Sequence, residues 1–222
     1  MKQIIVGIAS LPEREDALLR VVNSLKAQAD LIYVALNGYD HVPEGLRSLY
    51  NVKCEILDNS LGDSAKFLHV GEFHNCYYFS CDDDLEYPKI HIPYMMCKIK
   101  QYNAIVTLHG RKYHRPVTSF KRGFSLNYHC LHSYNYDIEL DLGGTGVMAF
   151  DTSQFKLSIA DFPIKNMADI HIAKRAHEQK VKIMGVAHKN TYLTYLQPKG
   201  STIWQTSGKG DEQTRILREF LK

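Results

Sequence analysis

Apolar positions along this chain fall in short unbroken runs, separated by stretches where they recur every three or four residues. Ile4–Ala9, Leu31–Leu36, Val52–Leu57, Cys76–Ser80, Ala104–Leu108, Val147–Phe150 and Val181–Val186 read as strands, most of them too continuously apolar to keep a solvent face. Helical spacing appears between them. Leu18, Leu19, Val22 and Leu25 follow Pro12 at a helix start, Met167, Ile170, Ala173 and Ala176 share a face within 166–179, and Ile216, Leu217 and Phe220 do so within 211–222. The run 90–102 also reads as helical, against which stands Pro93, a residue that removes a donor and clashes inside a helix. Alternation of this kind predicts an α/β fold, a single domain with a mostly parallel, Rossmann-like central sheet flanked by helices. In such sheets ligands gather beyond the carboxyl ends of the strands. Ser10 to Arg14, Asn37-Gly38, Asp58-Asn59, Asp82 to Asp84 and His188 all fall at predicted strand ends, so one crevice is expected to collect them.

Composition narrows the class without naming a partner. The 222 residues are 45% hydrophobic and 23% charged, close to the globular average, which excludes disordered, collagenous and disulfide-scaffold chains. No internal repeat and no Pro/Gly/Ser-rich linker divides the sequence. The five cysteines are odd in number and form no C-x-x-C pair, which points to a reducing compartment. No run of about 18 apolar residues is present to span a bilayer, and Ser10-Leu11-Pro12-Glu13-Arg14 follows the first apolar run where a signal peptide would carry small residues. The expected location is cytoplasmic, or peripheral at the inner membrane surface. A net charge of +3 says little, but its distribution says more. Between Glu86 and Asp137 there is no acidic residue, while Lys89, Lys98, Lys100, Arg111, Lys112, Arg115, Lys121 and Arg122 all lie there.

The strongest chemical signal is Asp82-Asp83-Asp84, set where an apolar strand ends and the turn Leu85-Glu86-Tyr87-Pro88 begins. Three carboxylates at the mouth of a buried strand repel one another, and a cation relieves that repulsion. Oxygen-only ligands suit Mg²⁺ or Mn²⁺, ions that keep open positions for phosphates. If extended backbone persists, Asp82 and Asp84 point one way and Asp83 the other.

The segment Tyr78 to Pro88 resembles the D-x-D segment of GT-A-fold glycosyltransferases, particularly family-2-like bacterial and phage enzymes. Ile8 to Arg14 is similar to their first strand and nucleotide-binding loop, and Leu61 to Phe67 to the segment that precedes the D-x-D strand. Gly143 to Phe150 resembles the acceptor-side strand, and Met167-Ala168-Asp169-Ile170 the catalytic region at a helix start. The resemblance spans roughly residues 4 to 190, with residues 1–108 as the nucleotide-sugar half and 109–222 as the acceptor half. It implies a metal-dependent transferase that moves a sugar from a nucleoside-diphosphate sugar to a hydroxyl. Asp84 would bind Mn²⁺ or Mg²⁺, with Asp82 on the metal or the donor ribose and His188 as a further metal ligand. Ser10, Pro12, Arg14 and Asn37 would border the nucleotide, Asp58 its base or ribose, and Asp63, Lys66 and Asp83 the rest of the donor. Asp169 would act as general base if the enzyme inverts, or stabilise the donor cation if it retains. Gly144 and Thr145 would lie on the acceptor side.

Downstream, Arg111, Lys112 and Arg115 interleave with Tyr113, Phe120 and Phe124, a composition suited to an anionic acceptor: a glycan, a lipid-linked saccharide or DNA bearing a hydroxymethylated base. Trp204, a further candidate acceptor contact, sits in a glycine-flanked segment, 200–210, that would close over the donor. His109, His114, His129, His132 and Cys130 carry zinc-type ligand atoms at spacings that fit no standard zinc site, so none is expected. Two other classes compete. A polyanion-binding module would use the basic segment and leave the Asp triplet idle, and a sugar-phosphate nucleotidyltransferase would need a glycine-rich loop where Ser10 to Arg14 stands.

Overall fold

The computed structural model describes residues 2–197 and 210–222. In chain order the strands are β1 (Gln3–Ser10), β2 (Leu31–Asn37), β3 (Val52–Leu57), β4 (Cys76–Asp82), β5 (Leu85–Glu86), β6 (Ile105–Thr107), β7 (Gly110–Tyr113), β8 (Phe124–Tyr128), β9 (Ile138–Leu140), β10 (Leu142–Gly143), β11 (Val147–Asp151), β12 (Ile183–Gly185) and β13 (Thr194–Tyr195). The helices are α1 (Glu15–Leu25), α2 (Glu44–Arg47), α3 (His91–Tyr102), α4 (Ala168–Glu178) and α5 (Gly210–Phe220). Every strand predicted from the apolar runs is present. Pro93 is the third residue of α3, in the first turn, where the N–H it lacks would have had no intrahelical partner.

Eight strands form the central sheet in the order β3-β2-β1-β4-β11-β6-β12-β9. β1 to β4 run parallel, so their carboxyl ends share one edge, and the antiparallel β11 brings its amino end to that same edge. Each face of the sheet buries its own apolar cluster. Leu18, Val22 and Leu25 of α1 pack on one face with Phe79 and Ile92; Ile170 and Ala173 of α4, with Leu217 of α5, pack on the other against Tyr78 and Phe150. Full burial of a side chain such as Phe79 or Leu25 contributes about 1.5–3 kcal/mol. β7, β8 and β10 form a separate three-stranded sheet, an arm that the apolar pattern alone did not outline.

One close approach sets the position of a charged residue. The 3-10 segment Gly62–Phe67 lies across β1 and β2. The buried Tyr78 hydroxyl donates to the Lys66 carbonyl at 2.7 Å, and a Cβ on Gly7 would stand 2.0 Å from that carbonyl oxygen. Only a hydrogen fits there. Gly7→Ala is therefore expected to cost about 1–3 kcal/mol in urea denaturation, whereas Gly71→Ala, whose added Cβ meets nothing closer than 3.6 Å, should stay within about 0.5 kcal/mol.

Candidate active site

The shared edge opens into a crevice of about 710 Å³. β1 supplies Ser10 and, through the 3-10 turn Pro12–Arg14, the Arg14 guanidinium; β2 supplies Asn37, and β4 with its following turn supplies Asp82, Asp83 and Asp84. Asp63 and Lys66 come from the 3-10 segment, Thr145 from the approach to β11, and Asp169 from the first turn of α4. Residues from both halves of the chain thus line one cavity.

The Asp triplet does not alternate as an extended strand would. β4 ends at Asp82, so Asp83 and Asp84 sit in a turn and both face Arg14. Arg14 Nη1 donates to Asp83 Oδ1 at 2.9 Å and to Asp84 Oδ2 at 3.3 Å. Asp82 goes the other way, its Oδ1 accepting from the buried Lys66 Nζ at 2.6 Å. Asp169 is anchored at one oxygen, where Oδ1 accepts from the Thr145 N–H at 2.8 Å and its hydroxyl at 2.7 Å. Asp63 Oδ2 accepts from the main-chain N–H of Ala168, which ties the 3-10 segment to the start of α4.

Charge is unbalanced here. Among the described residues five carboxylates, those of Asp63, Asp82, Asp83, Asp84 and Asp169, meet Arg14 and Lys66 at this end of the crevice. The titrations follow. Burial pushes Asp84 up to about 7, with the charges of Asp82 and Asp83 adding to it. Burial likewise lifts Asp63 to about 6, and raises Asp83 and Asp169 above the ordinary carboxylate range despite Arg14 and the Thr145 hydrogen bonds. Burial by itself would lower Lys66, but the charges of Asp82 and Asp63 outweigh it and raise it. The donors are all hard carboxylates and Asp83 Oδ2 is buried with no hydrogen-bond partner, a chemistry that suits a divalent ion with oxygen ligands, although no three of these carboxylates bring oxygens within 4.8 Å of one another as observed.

Other predicted residues stand apart. Pro12 is exposed at the opening of its 3-10 turn, because its ring starts the turn on the solvent side. Asp58 is exposed and spends its carboxylate on the Ser60 N–H of its own turn. His188 lies outside the crevice lining. Its Nδ1 and Nε2 lie 2.7 and 3.4 Å from the carbonyls of Val186 and His129, and its ring packs against Tyr128 and Tyr134. Lys112 is exposed, and Arg115 pairs with Asp141 at 2.8 Å, both outside the lining. Arg111 does line it, nearly buried, with its guanidinium over the rings of Phe120 and Phe124. Gly144 lines it beside His109. Trp204 and most of segment 200–210 lie outside the described residues.

Several contributors escaped the sequence reading. Asn166, held at a φ of +60°, accepts the Asp63 N–H at its Oδ1; an Asn just before a helical run was the available signal, since Asn tolerates that backbone region. Tyr87 accepts the Asp82 N–H at 2.9 Å and donates to the Gly146 carbonyl, fixing the end of β4. Gln213 reaches the crevice from α5, which nothing local in the sequence announces.

Compared as a sequence, the chain matches no protein-family profile and no curated protein. Compared as a structure, all of it superposes on residues 1–349 of S. aureus TarS in complex with UDP-GlcNAc, with a TM-score of 0.62 over 72% of that chain at 15% identity. Against TarS 1–349 crystallised without that ligand, the TM-score is 0.57 over 71% of that chain at 14% identity. The fold is thus the GT-A-like α/β arrangement that the motifs implied.

Metal-free protein should register the charge imbalance in its pH dependence. A carboxylate raised on folding holds its proton more tightly in the native state, so stability falls as pH rises from about 4 to about 7 through Asp63 and Asp84. Asp84→Asn should remove part of that fall and stabilise the metal-free chain near neutral pH by on the order of 1 kcal/mol. Thermal melts across that range, with chelator, would show it.

Proposed function

We propose that this protein is a metal-dependent glycosyltransferase that moves a sugar from a nucleoside diphosphate, of the uridine class, to a hydroxyl on an anionic acceptor. The observation that carries the reading is the carboxylate cluster at the edge where four parallel strands end, faced by one buried lysine. A crevice this negative repels a free diphosphate, and a divalent ion held by these carboxylates would offset that repulsion. The likeness to TarS in complex with UDP-GlcNAc supports a donor of that kind.

Asp84 and Asp82, with Asp83 beside them, would hold Mn²⁺ or Mg²⁺, and the ion when bound would neutralise charge on the departing diphosphate. Lys66 adds a fixed positive charge close by, held in place by Tyr78 and Asp82. Arg14 orients Asp83 and Asp84, and Asn37 lines the nucleotide end with a buried Oδ1 that has no hydrogen-bond partner. Asp169 is the base. Thr145 takes its Oδ1, which leaves Oδ2 for the acceptor hydroxyl, and burial raises its proton affinity in the direction a base requires. Arg111 offers the acceptor's negative group a cation at the other end of the crevice.

The test is a screen of nucleotide sugars for Mn²⁺-stimulated release of the diphosphate. One donor should be turned over slowly even without acceptor. Asp84→Ala should lower that rate by about 10²–10³-fold, and Asp169→Asn should lower transfer to acceptor by about 10²–10⁴-fold while leaving donor binding intact. Salt-sensitive polyanion binding that ignores metal and both substitutions would instead identify a binding module.

A further inference from the structure

The antiparallel pairing of β7 with β8 sets Gly110 opposite Tyr128, and one step beyond it the chain places His109 beside His129. Their ring centroids are 4.9 Å apart. Cys130 follows directly, its main-chain N–H donating to His109 Nδ1 at 3.4 Å. The strand register thus gathers residues whose sequence spacing matches no zinc motif. One ring nitrogen from each histidine and the Cys130 Sγ all lie within 4.8 Å of one another, and no other such group of three is found among the described residues.

We propose that His109, His129 and Cys130 form a binding site for a thiophilic divalent ion of the zinc class, separate from the carboxylate cluster. Nitrogen and thiolate ligands select zinc over magnesium or manganese, which prefer oxygen. Zinc bonds of about 2.0–2.3 Å place tetrahedral ligand atoms about 3.5 Å apart, so closure requires side-chain shifts of only about 1 Å from the observed spacing. Each imidazole accepts a main-chain N–H at Nδ1, His109 from Cys130 and His129 from Leu131 at 3.2 Å. Each neutral ring then carries its proton on Nε2, so the metal would bind at Nδ1 in place of these two hydrogen bonds, and neither ring loses a proton. Only the Cys130 thiol does, releasing one proton as the sulfur–metal bond forms. Cys130 is a free, buried thiol, and His109 is backed by Gly144, where a Cβ would stand 2.9 Å from the ring. All three residues line the crevice, so the fourth coordination position opens into it, as in zinc sites that retain an exchangeable ligand. This inference does not depend on the reaction proposed above.

The 222-residue chain, stripped of metal and titrated with Zn²⁺ alone against a chromophoric chelator, should bind one ion at the cluster and release about one proton per ion. Co²⁺ in its place should give tetrahedral absorption with a thiolate charge-transfer band. Cys130→Ser and His129→Ala should each weaken Zn²⁺ by more than the roughly 100-fold that an outer-shell partner is worth, and Cys130→Ser should abolish the thiolate band. Cys97→Ser, which removes an exposed thiol elsewhere, should change neither. His129 is half-exposed, so His129→Ala keeps the test open if Cys130→Ser fails to fold. Absence of Zn²⁺ binding, binding unchanged in both variants, or binding lost in Asp84→Asn instead would each overturn the proposal.

Discussion

Five carboxylates crowd one edge of the sheet against one buried lysine and one arginine, and this imbalance shapes the rest of the molecule's chemistry. The backbone enforces it. β1 to β4 end together because they run parallel, and their central strands are too deeply buried to slip. Tyr87, pinned between the Asp82 N–H and the Gly146 carbonyl, holds the last residue of β4 where its carboxylate must meet Lys66. The 3-10 segment cannot withdraw that lysine, because Gly7 and Tyr78 clamp its carbonyl. A site assembled this way carries an electrostatic cost, which on the proposed function a divalent cation would offset.

The crevice lining mixes three kinds of chemistry. The ends of the parallel strands contribute carboxylates, the β7–β8 arm contributes imidazole and thiol, and Arg111 of β7 has its guanidinium over two phenylalanine rings. The arm is held by side chains from far along the sequence. Arg218 of α5 donates to the carbonyls of Val117 and Thr118, and the Thr214 hydroxyl accepts the Phe120 N–H at 2.9 Å. Residues of α5 thereby fix the stretch 117–120, of which Phe120 lines the crevice.

What the sequence made legible follows the range of the forces involved. Apolar runs punctuated by Asn-Gly and Asp-Asn disclosed the parallel strands, since burial on both faces leaves that pattern directly in the residues. Ser10, Arg14, Asn37 and the Asp triplet line the crevice because they end or follow parallel strands, whereas Asp63, Lys66 and Asp169, named only through the resemblance, line it from a 3-10 segment and the start of α4. Features set by long-range pairing were harder. The turn that swings Asp83 and Asp84 onto Arg14 breaks the strand alternation, and His188, at a strand end, is absorbed by neighbouring tyrosines and carbonyls. Lys112 and Arg115 belong to a basic run of which Arg111 alone of the three turns inward. The histidine pair depends on a strand register that no local pattern encodes.

Calorimetric titration of uridine diphosphate into the full chain, once with Mn²⁺ and once with chelator, tests the central claim most directly. Binding that requires the ion and disappears in Asp84→Ala is the expected result. Equal binding in both buffers, or binding untouched by that substitution, would contradict the role given to the carboxylate cluster.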